Sequence, residues 1–165
     1  MSIMLKLLFL LLTLCFTTVK LTAQDTKIKK EFYENKSLKS ETLSDKKSDK
    51  SYKKTFYTNG QLKEEGWIEN GKKNYFWISY FENGKRKSEG HYSNNIKRDW
   101  WVFYNKMGQK INEGHYTGKV KNGFHHIYKD GKPIYAGHFV NDIKKGTWVT
   151  LNTKGEFIDI IEYGE

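Results

Sequence analysis

Short stretches of alternating apolar and polar residues follow one another along most of this 165-residue chain, separated by turn-forming pairs. Residues 76–80 and 100–104 show the pattern most clearly, because they consist mostly of the aromatic and β-branched residues that strands prefer. After residue 23, no apolar stripe with helical spacing continues for three turns. The pattern therefore predicts strands, and no helix, for this part of the chain.

Asn-Gly and Asp-Gly pairs mark the turns between these stretches. Such pairs favour tight hairpin turns, because both central residues must adopt positive φ. Asn94-Asn95 and Asn141-Asp142 occupy equivalent places, and turn centres recur every 11 to 13 residues. The pairs that we predict to form turns lie at 59–60, 70–71, 83–84, 122–123 and 130–131.

The whole pattern repeats with a period of 23–24 residues, and each period holds two strands. One hairpin is marginally stable in water, so successive hairpins must pair edge to edge. The prediction is an all-β fold, an elongated single-layer antiparallel sheet of tandem β-hairpins with about five repeats. The columns that carry the period are the turn glycines 60, 84, 108, 131 and 155; the strand glycines 66, 90, 114 and 137; Trp77, Trp101, His125 and Trp148; and Ile68, Tyr92, Tyr116 and Phe139.

The strand glycines predict a specific packing arrangement. A glycine inside a strand lets an aromatic ring from a neighbouring strand lie flat over the bare backbone. We therefore expect rings from the neighbouring columns to cover Gly66, Gly90, Gly114 and Gly137.

The N-terminus has the features of a secretory signal peptide, which we assign to residues 1–23. Lys6 precedes an apolar run over residues 7–16, and Ala23 supplies a small residue for cleavage. The run is shorter than the roughly 20 residues of a membrane-spanning helix. We predict export to the periplasm, the cell envelope or the exterior, with an uncleaved anchor or a lipoprotein anchor on Cys15 as the alternatives.

The segment 24–55 is a weakened copy of the repeat. Residues 32–41 match residues 56–65 at six of ten positions, with Lys36 in place of the turn glycine. Terminal repeats commonly differ from internal ones. We predict a degenerate N-terminal repeat or a lysine-rich linker here, followed by the regular repeat domain over 56–165.

The charge of the chain is basic and comes almost entirely from lysine. The sequence has 29 Lys and Arg against 19 Asp and Glu, and removal of residues 1–23 lowers the formal net charge from +10 to +8. Only Arg86 and Arg98 are arginines, whereas proteins that read nucleic acid rely on arginine for base contacts. Nucleic acid is thus not the expected partner. The lysines favour anionic lipid or acidic polysaccharide, or they only oppose aggregation of an open sheet.

Motifs for catalysis are absent from the sequence. The single cysteine lies in the predicted signal peptide, and no Gly-x-Ser-x-Gly, phosphate loop or His-Glu-x-x-His occurs. One histidine column and one glutamate column remain, but a rise of about 10 Å per repeat separates their members too far for one metal ion or one carboxylate pair. We therefore predict a non-enzymatic protein with no catalytic residue, metal or cofactor, whose glutamates pair with lysines across the sheet. The columns are His91, His115 and His138, and Glu65, Glu89 and Glu113.

The aromatic columns supply a candidate binding surface, because a single-layer sheet cannot bury both of its faces. Contiguous exposed apolar area usually marks an interaction site. The alternative is that the rings cover the glycines and one another. The predicted partner-binding residues are Trp67, Trp77, Trp101, Trp148, Tyr92 and Tyr116.

The recurring unit Tyr-x-x-Gly…Glu-Gly-x-Tyr-x-x-Asn-x-Lys…Trp-x-x-Tyr resembles the MORN repeat. It is more closely similar to the variant MORN repeats of the YwqK-like antitoxin family, over about residues 32–163. The resemblance implies an elongated sheet of hairpins that serves protein interaction, oligomerisation or, in some members, contact with membrane lipid. It implies no shared catalytic residue. Residues 123–126 depart from the tryptophan pattern, and the first repeat lacks its glycines.

These observations together predict an exported, non-enzymatic repeat protein that binds an unidentified protein partner through an aromatic face. One alternative is an antitoxin or immunity-type protein that neutralises a toxin. Another is an envelope module that binds anionic lipid or glycan. Self-association through the open edges of the sheet is a further expectation.

Overall fold

The computed structural model describes residues 26–45 and 47–164, in which every regular element is a strand. Twelve antiparallel strands form one open sheet, and each pairs with the strands that precede and follow it in sequence. The predicted all-β sheet of tandem hairpins is confirmed. The strands are β1 (Thr26–Phe32), β2 (Leu38–Asp45), β3 (Lys50–Phe56), β4 (Leu62–Glu69), β5 (Lys72–Tyr80), β6 (Arg86–Ser93), β7 (Ile96–Tyr104), β8 (Lys110–Thr117), β9 (Val120–Lys129), β10 (Lys132–Val140), β11 (Ile143–Leu151) and β12 (Phe157–Tyr163).

The segment 26–56 contributes three of these strands, so it continues the sheet at its N-terminal end. The predicted signal peptide, residues 1–23, lies outside the described residues. Over the ranges 26–45 and 47–164 there is no helix of the length and apolar character that a membrane crossing requires.

Two kinds of turn connect the strands. In four of the two-residue turns both residues have positive φ, as at Asn70 (50°) and Gly71 (72°), and the predicted turns at 94–95, 130–131 and 141–142 have the same form. In the two-residue turn at 118–119 only Gly118 (67°) has positive φ. The other kind is a five-residue loop such as 57–61, in which the Tyr57 N–H donates to the Gln61 carbonyl at 2.8 Å. Only the glycine of that loop has positive φ, as at Gly60 (83°). The pairs 59–60 and 83–84 belong to these longer loops.

The predicted turn at 122–123 is wrong, because both residues lie inside β9. The turn between β8 and β9 is formed by Gly118 and Lys119 instead. Gly123 (φ 117°) stands two residues before the tryptophan column. At this position the four later repeats have a positive φ, and the register with the preceding strand shifts. The Asn-Gly pair therefore serves a β-bulge rather than a hairpin turn. The positive-φ residues of this column are Tyr75, Asp99, Gly123 and Gly146.

A second bulge column lies just after the loop that joins the two strands of each hairpin. There the register between the two strands slips by one residue, so that one residue is left without a partner on the opposite strand. The extra residue is lysine in the first three hairpins and isoleucine in the last three. These residues are Lys39, Lys63, Lys87, Ile111, Ile134 and Ile158.

Candidate functional site

The core of the sheet lies on one face, which we call the tryptophan face and define by Trp77, Trp101 and Trp148. These side chains are 3, 2 and 0 % exposed. Gly66 pairs with Trp77 across the sheet, and a Cβ built on Gly66 would lie 2.4 Å from the Trp77 ring. The predicted ring cover is confirmed at all four strand glycines, with the His125 ring in the place of an indole over Gly114.

Hydrogen bonds and ring contacts hold the indoles in place. The Trp101 Nε1–H donates to the His91 carbonyl at 3.0 Å, and Trp77 and Trp148 donate in the same way to the residue that follows their covered glycine. Edge-to-face contacts link neighbouring repeats, such as Tyr92 with Trp101 at 4.9 Å between ring centroids. A continuous aromatic row therefore buries one face of the sheet without a second layer.

His125 replaces tryptophan in this row and is fully buried. Its Nε2 lies 2.7 Å from the His115 carbonyl, the acceptor that an indole N–H would use, and its Nδ1 lies 3.2 Å from the Asn112 side chain. Burial lowers the pKa of His125 to about 4, so the ring is neutral at pH 7. A neutral ring that donates from Nε2 has an acceptor at Nδ1, so the Asn112 amide nitrogen must face Nδ1 for a hydrogen bond to form there. The Asn112 amide oxygen then accepts from the Tyr116 hydroxyl, its other contact.

A row of lysines packs on the same face. Each of these lysines stands four residues before the tryptophan or histidine of its strand. The Lys73 Nζ lies 4.2 Å from the centroid of the Trp77 ring, and the other ammoniums lie equally close to aromatic rings. Such cation–π contacts cover the faces of the rings with the lysine side chains and keep the charge at the surface. The members are Lys73, Lys97, Lys121 and Lys144, at 4.2, 4.6, 4.7 and 4.4 Å from their nearest ring centroid.

The structure separates the six residues that the sequence predicted as a partner-binding surface. Trp77, Trp101, Trp148 and Tyr116 are buried, and Tyr92 is half-buried between two indoles. These five rings form the core of the tryptophan face, because each is enclosed by the rings of adjacent repeats. Trp67 alone of the six is exposed, at 43 %, and it points to the opposite side of the sheet from its neighbour Gly66.

The opposite side of the sheet, which we call the histidine face, carries paired aromatic and histidine side chains. Phe76 contacts His91 edge to face with 5.3 Å between ring centroids, and the same columns meet in neighbouring repeats. His91, His115 and His138 are exposed, because no further row covers them. The other pairs are Tyr52 with Trp67, Trp100 with His115 and Phe124 with His138, at 5.3, 5.2 and 5.4 Å.

One hollow of about 340 Å³ opens on the histidine face, and we call it the Trp67 hollow. Trp67, Tyr75 and Phe76 line it, and these three rings are 42–43 % exposed. His91 and Lys50 complete the lining, and the Lys50 Nζ lies 4.8 Å above the centre of the Tyr75 ring. Three half-exposed aromatic rings, one imidazole and one ammonium thus converge on a single concave site.

Sequence reasoning missed Tyr75, Phe76, His91 and Lys50 as part of this site. A signal was present at Tyr75, since the equivalent column otherwise holds Asp99, Gly123 and Gly146. Aspartate and glycine adopt positive φ with little cost, whereas a bulky aromatic residue rarely does. A tyrosine in that column therefore marks a local departure from the repeat.

The predicted pairing of the glutamate column with lysines across the sheet is wrong for the described residues, because these carboxylates bond tyrosine hydroxyls across the sheet and pair with arginine or lysine only on their own strand. Glu65 accepts hydrogen bonds from the hydroxyls of Tyr52 at 3.0 Å and Tyr80 at 2.8 Å. Burial and the bond to Glu65 raise the pKa of Tyr80 to about 12. Tyr104 bonds Glu89 at 2.6 Å and Tyr128 bonds Glu113 in the next repeats, while Arg86 and Lys110 pair with those two carboxylates at 2.9 and 2.8 Å.

These phenol–carboxylate bonds occupy the glutamate side chains within the sheet. In the part of the chain that the structure describes, no group of three His, Cys, Asp or Glu residues is placed to hold a metal ion. A scan of the sequence against protein-family models finds no match, and a search against curated proteins also finds none.

Proposed function

We propose that this chain is an exported, non-enzymatic repeat protein of the MORN-variant type, and that it binds a protein partner at the Trp67 hollow. The observation that carries the proposal is the convergence of three exposed aromatic rings on one concave site. Aromatic residues are enriched in protein interfaces because they bury large area with little loss of side-chain freedom.

The hollow also has the polar groups that orient a partner. The Tyr75 hydroxyl donates to the Glu69 carboxylate, with both oxygens at 3.1 Å, and the Lys50 Nζ lies 3.4 Å from the same carboxylate. This cluster holds the Tyr75 ring upright at the rim. A partner that inserts an apolar side chain therefore meets a preformed site.

Backbone strain supports the same assignment. Tyr75 has φ of 63°, a conformation that costs an L-residue about 1–2 kcal/mol. Strained residues persist where the surrounding structure or a function retains them. Asparagine adopts this conformation readily, so retention of tyrosine favours a role for its exposed ring.

The test is site-specific photocrosslinking in the native host. A photoreactive phenylalanine analogue replaces Phe76 in the hollow or Phe157, which is 62 % exposed on β12, in the full-length chain. We expect one dominant protein adduct from position 76 and none from position 157. In the chain that carries the photoreactive residue at position 76, Trp67→Ala and Tyr75→Asn should each remove that adduct. The melting temperature of each variant should stay within a few degrees of that of the unsubstituted chain.

Two results would overturn the proposal. One is equal adduct formation from positions 76 and 157, which would indicate non-specific contact over the surface rather than binding at the Trp67 hollow. The other is an adduct that persists in Trp67→Ala, which places the contact elsewhere. A toxin as the captured partner, with toxicity only when this protein is absent, would establish the immunity-type function.

A second candidate function is favoured by the lysine row on the tryptophan face. Of its four ammoniums, only Lys73 lies within 4 Å of a carboxylate among the described residues. An envelope module that binds anionic lipid or glycan would use this charge. Its affinity should then fall steeply with salt, because exposed charges are screened within about 8 Å at physiological ionic strength.

A further inference from the structure

A cavity of about 280 Å³ lies on the tryptophan face at the strands β4–β7 and is separate from the Trp67 hollow. Three lysines line it, two from the second bulge column and one from the lysine row. The walls also carry the Trp77 and Trp101 rings and two serine hydroxyls. The residues used below are Lys63, Lys87, Lys97, Ser79, Ser88 and Glu64, all of which line the cavity.

The three lysines have aromatic contacts but no anionic partner. Lys97 Nζ lies 4.6 Å from the centre of the Trp101 ring and 4.7 Å from that of Phe103. Lys63 and Lys87 lie over Tyr57 and Phe81 at 5.5 and 5.8 Å. Within residues 26–45 and 47–164, no carboxylate comes within 4 Å of any of these three ammoniums.

The one acidic side chain in the wall is already neutralised. Glu64 pairs with Lys73 at 2.5 Å, so it does not offset the other three charges. Burial, and then the charges of Lys73 and Lys87, lower the pKa of Lys97. The cavity therefore places the half-buried Lys97 ammonium near the exposed Lys63 and Lys87 ammoniums, where an anion would relieve the repulsion between them.

We propose that this cavity binds a phosphate monoester group. Four lysines and one glutamate leave a charge of +3 around the space, which suits a dianion better than a single carboxylate. The Ser79 and Ser88 hydroxyls lie 2.7 Å apart, and the Ser79 hydroxyl also lies 3.4 Å from the Ser88 carbonyl. When Ser79 donates to the Ser88 hydroxyl, the Ser88 proton is available to an oxyanion. The volume holds the phosphate and part of the molecule that carries it.

The repeat itself shows that this site is particular to one place. One repeat further along the sheet, Lys87 takes the place of Lys63, but Ile111 takes the place of Lys87 as the extra residue of its bulge. Lys121 stands there in the place of Lys97, with its ammonium 4.7 Å from the Phe139 ring. Lys121 thus has the same strand position and the same kind of ring contact, but an isoleucine replaces one of its two bulge lysines, and Lys121 does not line the cavity.

Isothermal titration calorimetry on the full-length protein tests the proposal with glucose 6-phosphate, and with glucose as the uncharged reference. We expect saturable binding of glucose 6-phosphate and none of glucose. Lys97→Gln and Lys87→Gln should each weaken binding at least about tenfold, as expected for loss of one charged hydrogen bond. Lys121→Gln should change the affinity less than about twofold, since that lysine lies outside the cavity.

Vesicle flotation separates the two sources of a phosphate monoester. Phosphatidylcholine vesicles that contain phosphatidylinositol 4-phosphate present the phosphate monoester on a lipid, and pure phosphatidylcholine vesicles are the reference. Binding to the former that is abolished in Lys97→Gln but kept in Lys121→Gln would assign the cavity to a lipid headgroup. Equal losses in Lys97→Gln and Lys121→Gln would overturn the proposal, as would the absence of saturable binding to both probes. Binding only to vesicles of phosphatidylglycerol, a phosphodiester, would support the second candidate function and overturn the proposal of a phosphate monoester site in the cavity. None of these results depends on the Trp67 hollow, which lies on the other face.

Discussion

The first three strands and the strands that follow them share one sheet but are packed differently. In β4 and β5, Gly66 stands opposite Trp77, whose ring covers it. In β2 and β3, Thr42 and Lys53 stand opposite each other at the equivalent positions. Neither can make the flat ring cover, because threonine has a side chain in the way and lysine has no ring.

The consequence is visible in burial. Among the described residues before Phe56, only Ser40 is buried, whereas each of the later repeats buries an indole or imidazole ring. Backbone pairing is complete in both regions. The difference teaches that strand pairing alone extends the sheet, but the glycine–ring pair supplies its apolar core.

The strongest way to break this difference is to fill one glycine. In Gly90→Ala the new Cβ would lie 2.4 Å from the Trp101 ring, which is buried and held by its N–H bond. We expect a loss of about 3 kcal/mol in the free energy of unfolding, measured by urea denaturation. Gly146→Ala is the control, since its Cβ meets no atom within 4 Å and only the φ of 62° carries a cost of about 1–2 kcal/mol. Equal losses in the two variants would contradict a core built on ring cover.

The histidine in the tryptophan column makes one later repeat sensitive to acid. The pKa of His125 is about 4 in the folded chain and near 6.5 unfolded, so the unfolded chain takes up the proton first. Stability should be complete above pH 6.5 and fall by about 2–3 kcal/mol as the pH drops towards 4. Unfolding in urea at pH 7 and pH 4.5 measures this loss.

Two variants assign that loss to one ring. His125→Gln should unfold more easily at pH 7 but show a smaller difference between the two pH values. His115→Gln, which changes an exposed histidine on the other face, should keep the difference of the unmodified protein. An unchanged pH dependence in His125→Gln would assign the acid sensitivity to other groups.

The converse change should extend the core into the N-terminal region. Thr42→Gly alone should cost about 1 kcal/mol, and Lys53→Trp alone gains nothing because its ring meets the threonine side chain. Together the two substitutions recreate the glycine–ring pair, and we expect a favourable coupling of about 1–2 kcal/mol in a double-mutant cycle. Additive effects would mean that the local backbone, rather than these two residues, excludes the core from β2 and β3.

Much of the fold could be predicted because its signals are local or periodic. Paired asparagine, aspartate and glycine residues select two-residue turns, as at 70–71, and the 24-residue period aligns the strand glycines with the rings. The pair 122–123 shows the limit of a local signal. Asn-Gly favours positive φ, but a hairpin turn and a β-bulge both use it, and only the register of β8 with β9 distinguishes them.

The candidate site was less predictable, because exposure is a property of the assembled sheet. Trp67 and Trp77 are the same residue type on adjacent strands, yet Trp67 is 43 % exposed and Trp77 is 3 % exposed. The charged cavity likewise depends on bulges that turn Lys63 and Lys87 towards a lysine from another strand.

By itself, the sequence determined the repeat, the antiparallel order of the strands and the cover of each strand glycine by a ring, because these follow from spacing along one chain. Only the tertiary structure decided which aromatic face is core and which is available to a partner. The physical reason is that each ring is buried by a ring from the neighbouring strand and by a lysine stem of its own strand, as Trp101 is by Tyr92 and Lys97. That enclosure exists only once the hairpins are side by side.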